Sequence, residues 1–166
     1  MRPVVFSAWN CLESAPSAEM PESSRPQIVL AFDFGLRRIG VACGDTVSRS
    51  AVGLEAVPAD DAGPRWEVIA SLMREWQPDM AVVGLPYNVD GSDSEQTRAA
   101  RSFAAELAHR YALKVAMVDE RYSSLEASAR LKSARESGSR RRRVAKSDVD
   151  AAAACVILER WFSEKT

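Results

Sequence analysis

A single histidine, three cysteines and a near balance of charge leave this chain of 166 residues few of the usual handles for chemistry. With 22 lysines and arginines against 23 aspartates and glutamates, its formal net charge is −1, so the whole-molecule field gives no general attraction to polyanions. Contact with nucleic acid therefore has to come from local basic patches. Cys11, Cys43 and Cys155 are widely spaced and fall in no pairing typical of zinc sites or redox motifs. They read as free thiols of a reducing, cytoplasmic compartment, with Cys43 and Cys155 as small buried hydrophobes. His109 lies near a helix end and reads as solvated. No apolar run approaches the roughly 20 residues that cross a bilayer, which argues against an integral membrane protein. The N-terminal stretch is a poor secretory signal, because its short apolar segment is broken and then turns acidic and rich in serine and proline.

What is present suits one globular enzyme domain. The 46% hydrophobic content suffices for one substantial core, and the length is too short for two ordinary enzyme domains. Residues 1–26 read as a disordered leader, or as sequence ahead of a start at Met20. Residues 27–166 form the expected domain. Ile28 to Phe32 is a continuous β-favouring run that suits a strand buried on both faces, and it ends at Asp33. Runs over Arg38–Cys43 and Ser50–Val57 continue it as an antiparallel meander. Trp66, Ile69, Met73 and Trp76 recur at helical spacing until Pro78 stops them. A fourth strand over Asp79–Gly84, a polar loop over Tyr87–Asp93 and a helix to about Arg110 follow. A fifth strand over Lys114–Val118 stops at Asp119-Glu120-Arg121. Another helix opens at Ser123-Ser124, residues 133–146 read as a mobile basic loop, and a last helix runs from Ser147 to about Phe162.

Helical crossovers make strands one, four and five parallel, which gives an α/β fold with a mixed sheet. Ligand sites in such sheets lie beyond the carboxyl ends of the parallel strands, where Asp33, Gly84-Leu85-Pro86 and Asp119-Glu120 fall. Taken singly, each acidic cluster has an ordinary reading. Asp33 ends a strand, and Ser147 with Asp148 and Asp150 fits a capping box. Together they change the odds, because converging carboxylates repel and are usually kept together by a cation. Hard oxygen donors without histidine favour Mg²⁺ or Mn²⁺ over zinc. Two such ions would serve phosphodiester hydrolysis. Asp150 shares a helix face with Ala154, Ile157 and Trp161, whereas Asp148 points away and compensates the helix dipole.

These residues are also where the chain resembles a known family, the YqgF-like pre-16S ribosomal RNA nucleases, formerly described as Holliday junction resolvases. The resemblance runs through AFDFGLRRIGVACGD, VVGLPYNVDGS, VDERYSS and KSDVDAAAACVILERWF, in that order, and covers nearly everything after Pro26. Four ordered blocks are far more specific than any one of them. The resemblance implies a ribonuclease H-like fold, with a five-stranded mixed sheet in the order 3-2-1-4-5 flanked by helices, and places the catalytic, metal-binding carboxylates on Asp33, Glu120 and Asp150. Asp119 stands as the alternative to Glu120, and Asp148 as a further acidic candidate on the last helix.

Positive charge flanks each cluster: Arg37 and Arg38, Arg121, and Arg140, Arg141, Arg142 and Arg143 with Lys146. For an arbitrary protein a run of four arginines is a solvated surface. Beside a metal site it becomes an expected phosphate contact, with steep salt dependence. Asn88 and Tyr87 are the expected strand contacts of the loop after the fourth strand, against the alternative of a plain Asp-Gly turn. The leading expectation is a two-metal endonuclease acting on a ribosomal RNA precursor. Junction-resolving cleavage of DNA and a non-catalytic nucleic-acid-binding module are the competitors. A phosphotransferase reading of Phe32-Asp33-Phe34-Gly35 fails, since the chain has no glycine-rich nucleotide loop.

Overall fold

In a computed structural model, the structure describes residues 25–88, 90–119 and 146–165. The strands are β1 (Ile28–Asp33), β2 (Arg38–Asp45), β3 (Ala51–Gly53), β4 (Val57–Asp60), β5 (Gly63–Pro64), β6 (Met80–Leu85) and β7 (Lys114–Asp119). The helices are α1 (Trp66–Trp76), α2 (Glu95–Tyr111) and α3 (Lys146–Glu164). Among the described residues no helix is long and apolar enough to cross a membrane.

β1 is central, antiparallel to β2 and parallel to β6, which in turn is parallel to β7. Its apolar run is explained by cover on both faces: Val29, Leu30, Ala31 and Phe32 are all fully buried. The five expected strands appear in the expected order, as β3, β2, β1, β6 and β7, but the sheet has seven strands rather than five. The expected third strand is the reason. β3 places Gly53 opposite Ala42, whereas β4 places Val57 opposite Ile39. Gly40 and Val41 therefore oppose three residues, Leu54, Glu55 and Ala56, and the extra residue is a bulge that splits the outer strand. β5 then pairs with β4 at that edge.

Side-chain alternation sorts the sheet into two faces. Leu30, Phe32, Val41, Ala81 and Val83 pack with Ile69 and Met73 of α1 and with Phe103 and Leu107 of α2. Val29, Ala31, Ala42 and Val82 pack with Ala154, Ile157, Leu158, Trp161 and Phe162 of α3. The helix termini follow their sequences. α1 ends at Gln77 in the left-handed region with φ 44°, its N–H donating to the Met73 carbonyl just before Pro78. α2 opens with a capping box between Ser94 and Thr97. α3 already includes Lys146, so Ser147 lies inside the helix rather than capping it.

Candidate functional site

Asp33 is the last residue of β1 and pairs with Gly40 on β2. By alternation both belong to the face that carries Val29 and Ala31, under α3. The approach of α3 is unusually close there. A Cβ built on Gly40 would stand 2.0 Å from the carbonyl oxygen of Asp150 and 2.5 Å from its carbonyl carbon. Only glycine leaves room for that backbone, and so the start of α3 is seated against the cross-strand partner of Asp33. Asp150 is carried there on the helix side that includes Ala154, Ile157 and Trp161, all buried.

Arg38 fixes the Asp150 side chain. Its Nε donates to Asp150 Oδ2 at 2.9 Å, in an ion pair between half-buried groups. Arg38 arrives by a tight turn after Asp33, in which a Cβ on Gly35 would stand 2.4 Å from the Arg38 carbonyl oxygen. The far side of that turn is held by Gln96, whose Nε2 donates to the Phe34 carbonyl at 2.9 Å. Gly35, Leu36, Arg37, Arg38, Gln96, Lys146 and Asp150 together line a cavity of about 330 Å³. Arg37, Arg38, Lys146 and Asp150 were expected at a site; Gln96 was not. Its only sequence signal is its place in the first turn of the helix that follows β6, at the same rim of the sheet.

The loop between β6 and α2 is tied down from within. Ser94 Oγ and Thr97 Oγ1 both donate to the Pro86 carbonyl. Asn88 Nδ2 donates to Ser92 Oγ at 2.9 Å, and Gly91 turns the chain at φ 83°. The Asn88 amide therefore closes its own loop. Tyr87 is half-buried against the core, and its hydroxyl accepts from Arg101 Nη2 at 2.9 Å while Arg101 Nη1 pairs with Asp93 at 2.5 Å. Arg101 is a further cation near this rim, and sequence reasoning missed it.

The remaining acidic candidates separate. Asp119 ends β7 opposite Leu85, in phase with Val115 and so on the sheet face opposite that of Asp33. Its carbonyl accepts from Arg160 Nη1 of α3 at 2.7 Å. Asp148 lines a different and larger cavity, about 590 Å³, with Glu55, Cys155 and Glu159 between β3 and α3. Among the described residues no cation lines that cavity. Glu120, Arg121, Arg140, Arg141, Arg142 and Arg143 lie outside the described residues, as does the expected basic loop up to residue 145. Among the described residues no group of three histidine, cysteine, aspartate or glutamate side chains is gathered to hold a metal. What the described residues do supply is hard oxygen donors, Asp33 and Asp150, on two elements that Gly40 brings together, and that chemistry fits a magnesium-like ion.

Fold comparison gives the class. Thermus thermophilus RuvC, solved in complex with a Holliday junction substrate, superposes with a TM-score of 0.51 at 15% identity, covering 84% of this chain and 95% of that one. The yeast mitochondrial Holliday junction resolvase Ydc2 superposes with a TM-score of 0.50 at 9% identity, covering 81% and 77%. The architecture is thus the ribonuclease H-like fold of RuvC-type resolvases. The sequence signature of the RuvX family, described as Holliday junction resolvase, matches residues 27–164, and the chain belongs to this family of nucleases. Curated relatives agree on nuclease activity. A protein of Edwardsiella ictaluri is 46% identical over 140 residues, 84% of this chain and 97% of the relative. One of Nitrosococcus oceani is 46% identical over 147 residues, 89% and 93%. Both are named "Putative pre-16S rRNA nuclease".

Proposed function

We propose that this protein is a cytoplasmic, divalent-metal-dependent endonuclease that processes the precursor of 16S ribosomal RNA. The observation that carries the reading is the seating of α3 at Asp150 against Gly40, the cross-strand partner of Asp33. In the proposed site Asp33, Glu120 and Asp150 hold Mg²⁺ or Mn²⁺, with Asp119 and Asp148 outside the ligand set. Two such ions, when bound, supply activation of a water and stabilisation of the leaving oxygen. The chain's own part is positioning. Arg38 orients Asp150, and Gln96 braces the turn that follows Asp33. Arg37 and Lys146 offer positive charge to the phosphates at the same cavity, with Arg121 and Arg140 to Arg143 as further contacts along the strand. Tyr87 offers a ring for a base, while Asn88 serves chiefly to shape its loop.

The nearest competitor is cleavage of branched DNA, favoured by the description of the family and by the junction-bound relative. Both polymers present the same phosphodiester, so the carboxylates do not distinguish them. The test is to incubate the full-length protein with precursor ribosomal RNA and with a four-way DNA junction, with Mg²⁺, with Mn²⁺ and with chelator. The expected result is metal-dependent cutting of the RNA, lost by a factor on the order of a thousand in Asp33→Asn. Cutting of the junction but not the RNA transfers the assignment to DNA. No cutting of either, or cutting that survives Asp33→Asn, sinks the proposed mechanism.

A further inference from the structure

At the other end of the sheet, beyond the starts of β1, β6 and β7, lies a cavity of about 530 Å³. Its rim carries four cations, Arg25, Arg49, Lys114 and Lys165, and among the described residues no acidic one lines it. They come from four separate places in the chain: the approach to β1, the turn after β2, the start of β7 and the end of α3. All four are exposed. Beneath them Trp161 and Phe162 form an apolar floor, only 6% and 4% exposed, with Lys165 Nζ 5.8 Å from the Trp161 ring centroid. The rings are too deep to stack on a base, so the cavity offers charge over a closed floor. That suits a phosphate group rather than a nucleobase.

Two acids at this end of the sheet, Asp45 and Asp79, accept hydrogen bonds from their own neighbours. Asp45, at the start of the turn that carries Arg49, accepts from the Val47 and Ser48 amides and from Ser48 Oγ. Those bonds hold its carboxyl below the ordinary aspartate range, the Ser48 hydroxyl contributing most. Asp79 accepts from the Ile28 amide at 2.8 Å. The same turn holds Arg49 at φ 52°, a left-handed backbone that is costly for any residue but glycine. In a chain of net charge −1, four cations around one cavity are a local construction and not the overflow of a basic protein.

We infer that this cavity is a second phosphate-binding site, which grips the backbone of the nucleic-acid strand away from the point of cleavage. The inference rests on the nuclease reading for the identity of the strand. α3 spans the two places: Asp150 and Trp161 are separated along it by roughly 16 Å at the rise of a helix. A strand cut at the Asp33 rim is held at the Lys114 and Lys165 rim only if it is long enough to run the length of α3. The site therefore selects for length and not for sequence.

The test is binding of a short and a long fluorescent single-stranded RNA to the full-length protein, in chelator so that neither is cut, as salt is varied. The variants are Lys114→Glu combined with Lys165→Glu, and Arg49→Gly, which removes a cation while relieving the left-handed strain. Expected are a roughly tenfold or greater loss of long-strand affinity in the double variant, and a salt slope shallower by about 0.7 for each phosphate no longer neutralised. Arg49→Gly should show a smaller loss in the same direction, with an unchanged or higher melting temperature. Short-strand binding, and short-strand cutting once metal is restored, should not change. Equal long-strand affinity and slope in wild type and double variant overturn the inference. So does a nucleoside monophosphate that binds wild type and not the variant while long-strand binding stays equal. Failure of the wild type to cut any strand speaks against the nuclease reading and leaves the binding result to be judged by itself.

Discussion

The two faces of the sheet are built from different materials. Under α1 and α2 the face is made of large side chains, with Phe103 packed against Phe32 at 5.6 Å, Phe34 at 5.3 Å and Trp66 at 5.7 Å between ring centroids. Under α3 it is made largely of small ones, with Gly40, Ala42 and Gly44 along β2 and Ala31 and Asp33 along β1. Bulk on the first face buries apolar area and supplies stability. Smallness on the second lets a helix backbone come close enough to bring a carboxylate to the end of the central strand. One face is chiefly structural, and the other spends part of its packing on placing the proposed site.

That contrast can be tested by substitution, beginning with its strongest consequence. Phe103→Ala removes the ring shared by three aromatic contacts and should cost about 3–5 kcal/mol in chemical denaturation. Cleavage per folded molecule should stay near wild type, and a larger loss would mean that the closed face also shapes the site. Gly40→Ala should invert this pattern. Its methyl meets Asp150 backbone, so α3 has to shift, at about 1–3 kcal/mol of stability. The cleavage rate should fall on the order of a hundredfold, the usual consequence of misplacing a reacting group by about 1 Å. Wild-type activity in Gly40→Ala would break the link between small side chains and the site.

Smaller effects sharpen the same division. Ser94→Ala removes the α2 cap and one of the two bonds to the Pro86 carbonyl, and should cost about 1 kcal/mol in melting experiments. The smallest effect is expected at Cys43, on the closed face, where burial first and Asp45 second raise the thiol above its ordinary pKa. The folded chain thus holds this proton more tightly than the unfolded chain does. Stability should be indifferent to Cys43 below the ordinary thiol range and should fall as pH rises through it, because only the unfolded thiol ionises readily. Comparing unfolding of wild type and Cys43→Ala from pH 7 to about pH 10 isolates that slope. Equal slopes would show the thiol to be less enclosed than its packing implies.

Much of this organisation was legible in the order of residues. The apolar run of β1, the stripe of α1, the strands β6 and β7 and the alternation of strand with helix all arise from local periodicity, which each segment carries by itself. The split of the third strand was not legible, since Ser50 to Val57 reads as one β-favouring run. Its break depends on the register with β2. Gln96 escaped notice for a related reason: a polar residue in the first turn of a helix is ordinary until the Phe34 carbonyl is found within its reach. Asp148 and Asp150, two positions apart, differ in helical phase, and they line different cavities.

The sequence by itself determined the class of the fold and the family, and it supplied the carboxylates proposed for the site. Tertiary structure alone decided which residues stand together: Gly40 beneath Asp150, Gln96 beside Phe34, and Arg25, Arg49, Lys114 and Lys165 around one cavity. The reason is physical. Backbone periodicity and helix phase are written within a few neighbouring residues, whereas a charge cluster or a close backbone approach is set by register and helix docking between segments far apart in the chain.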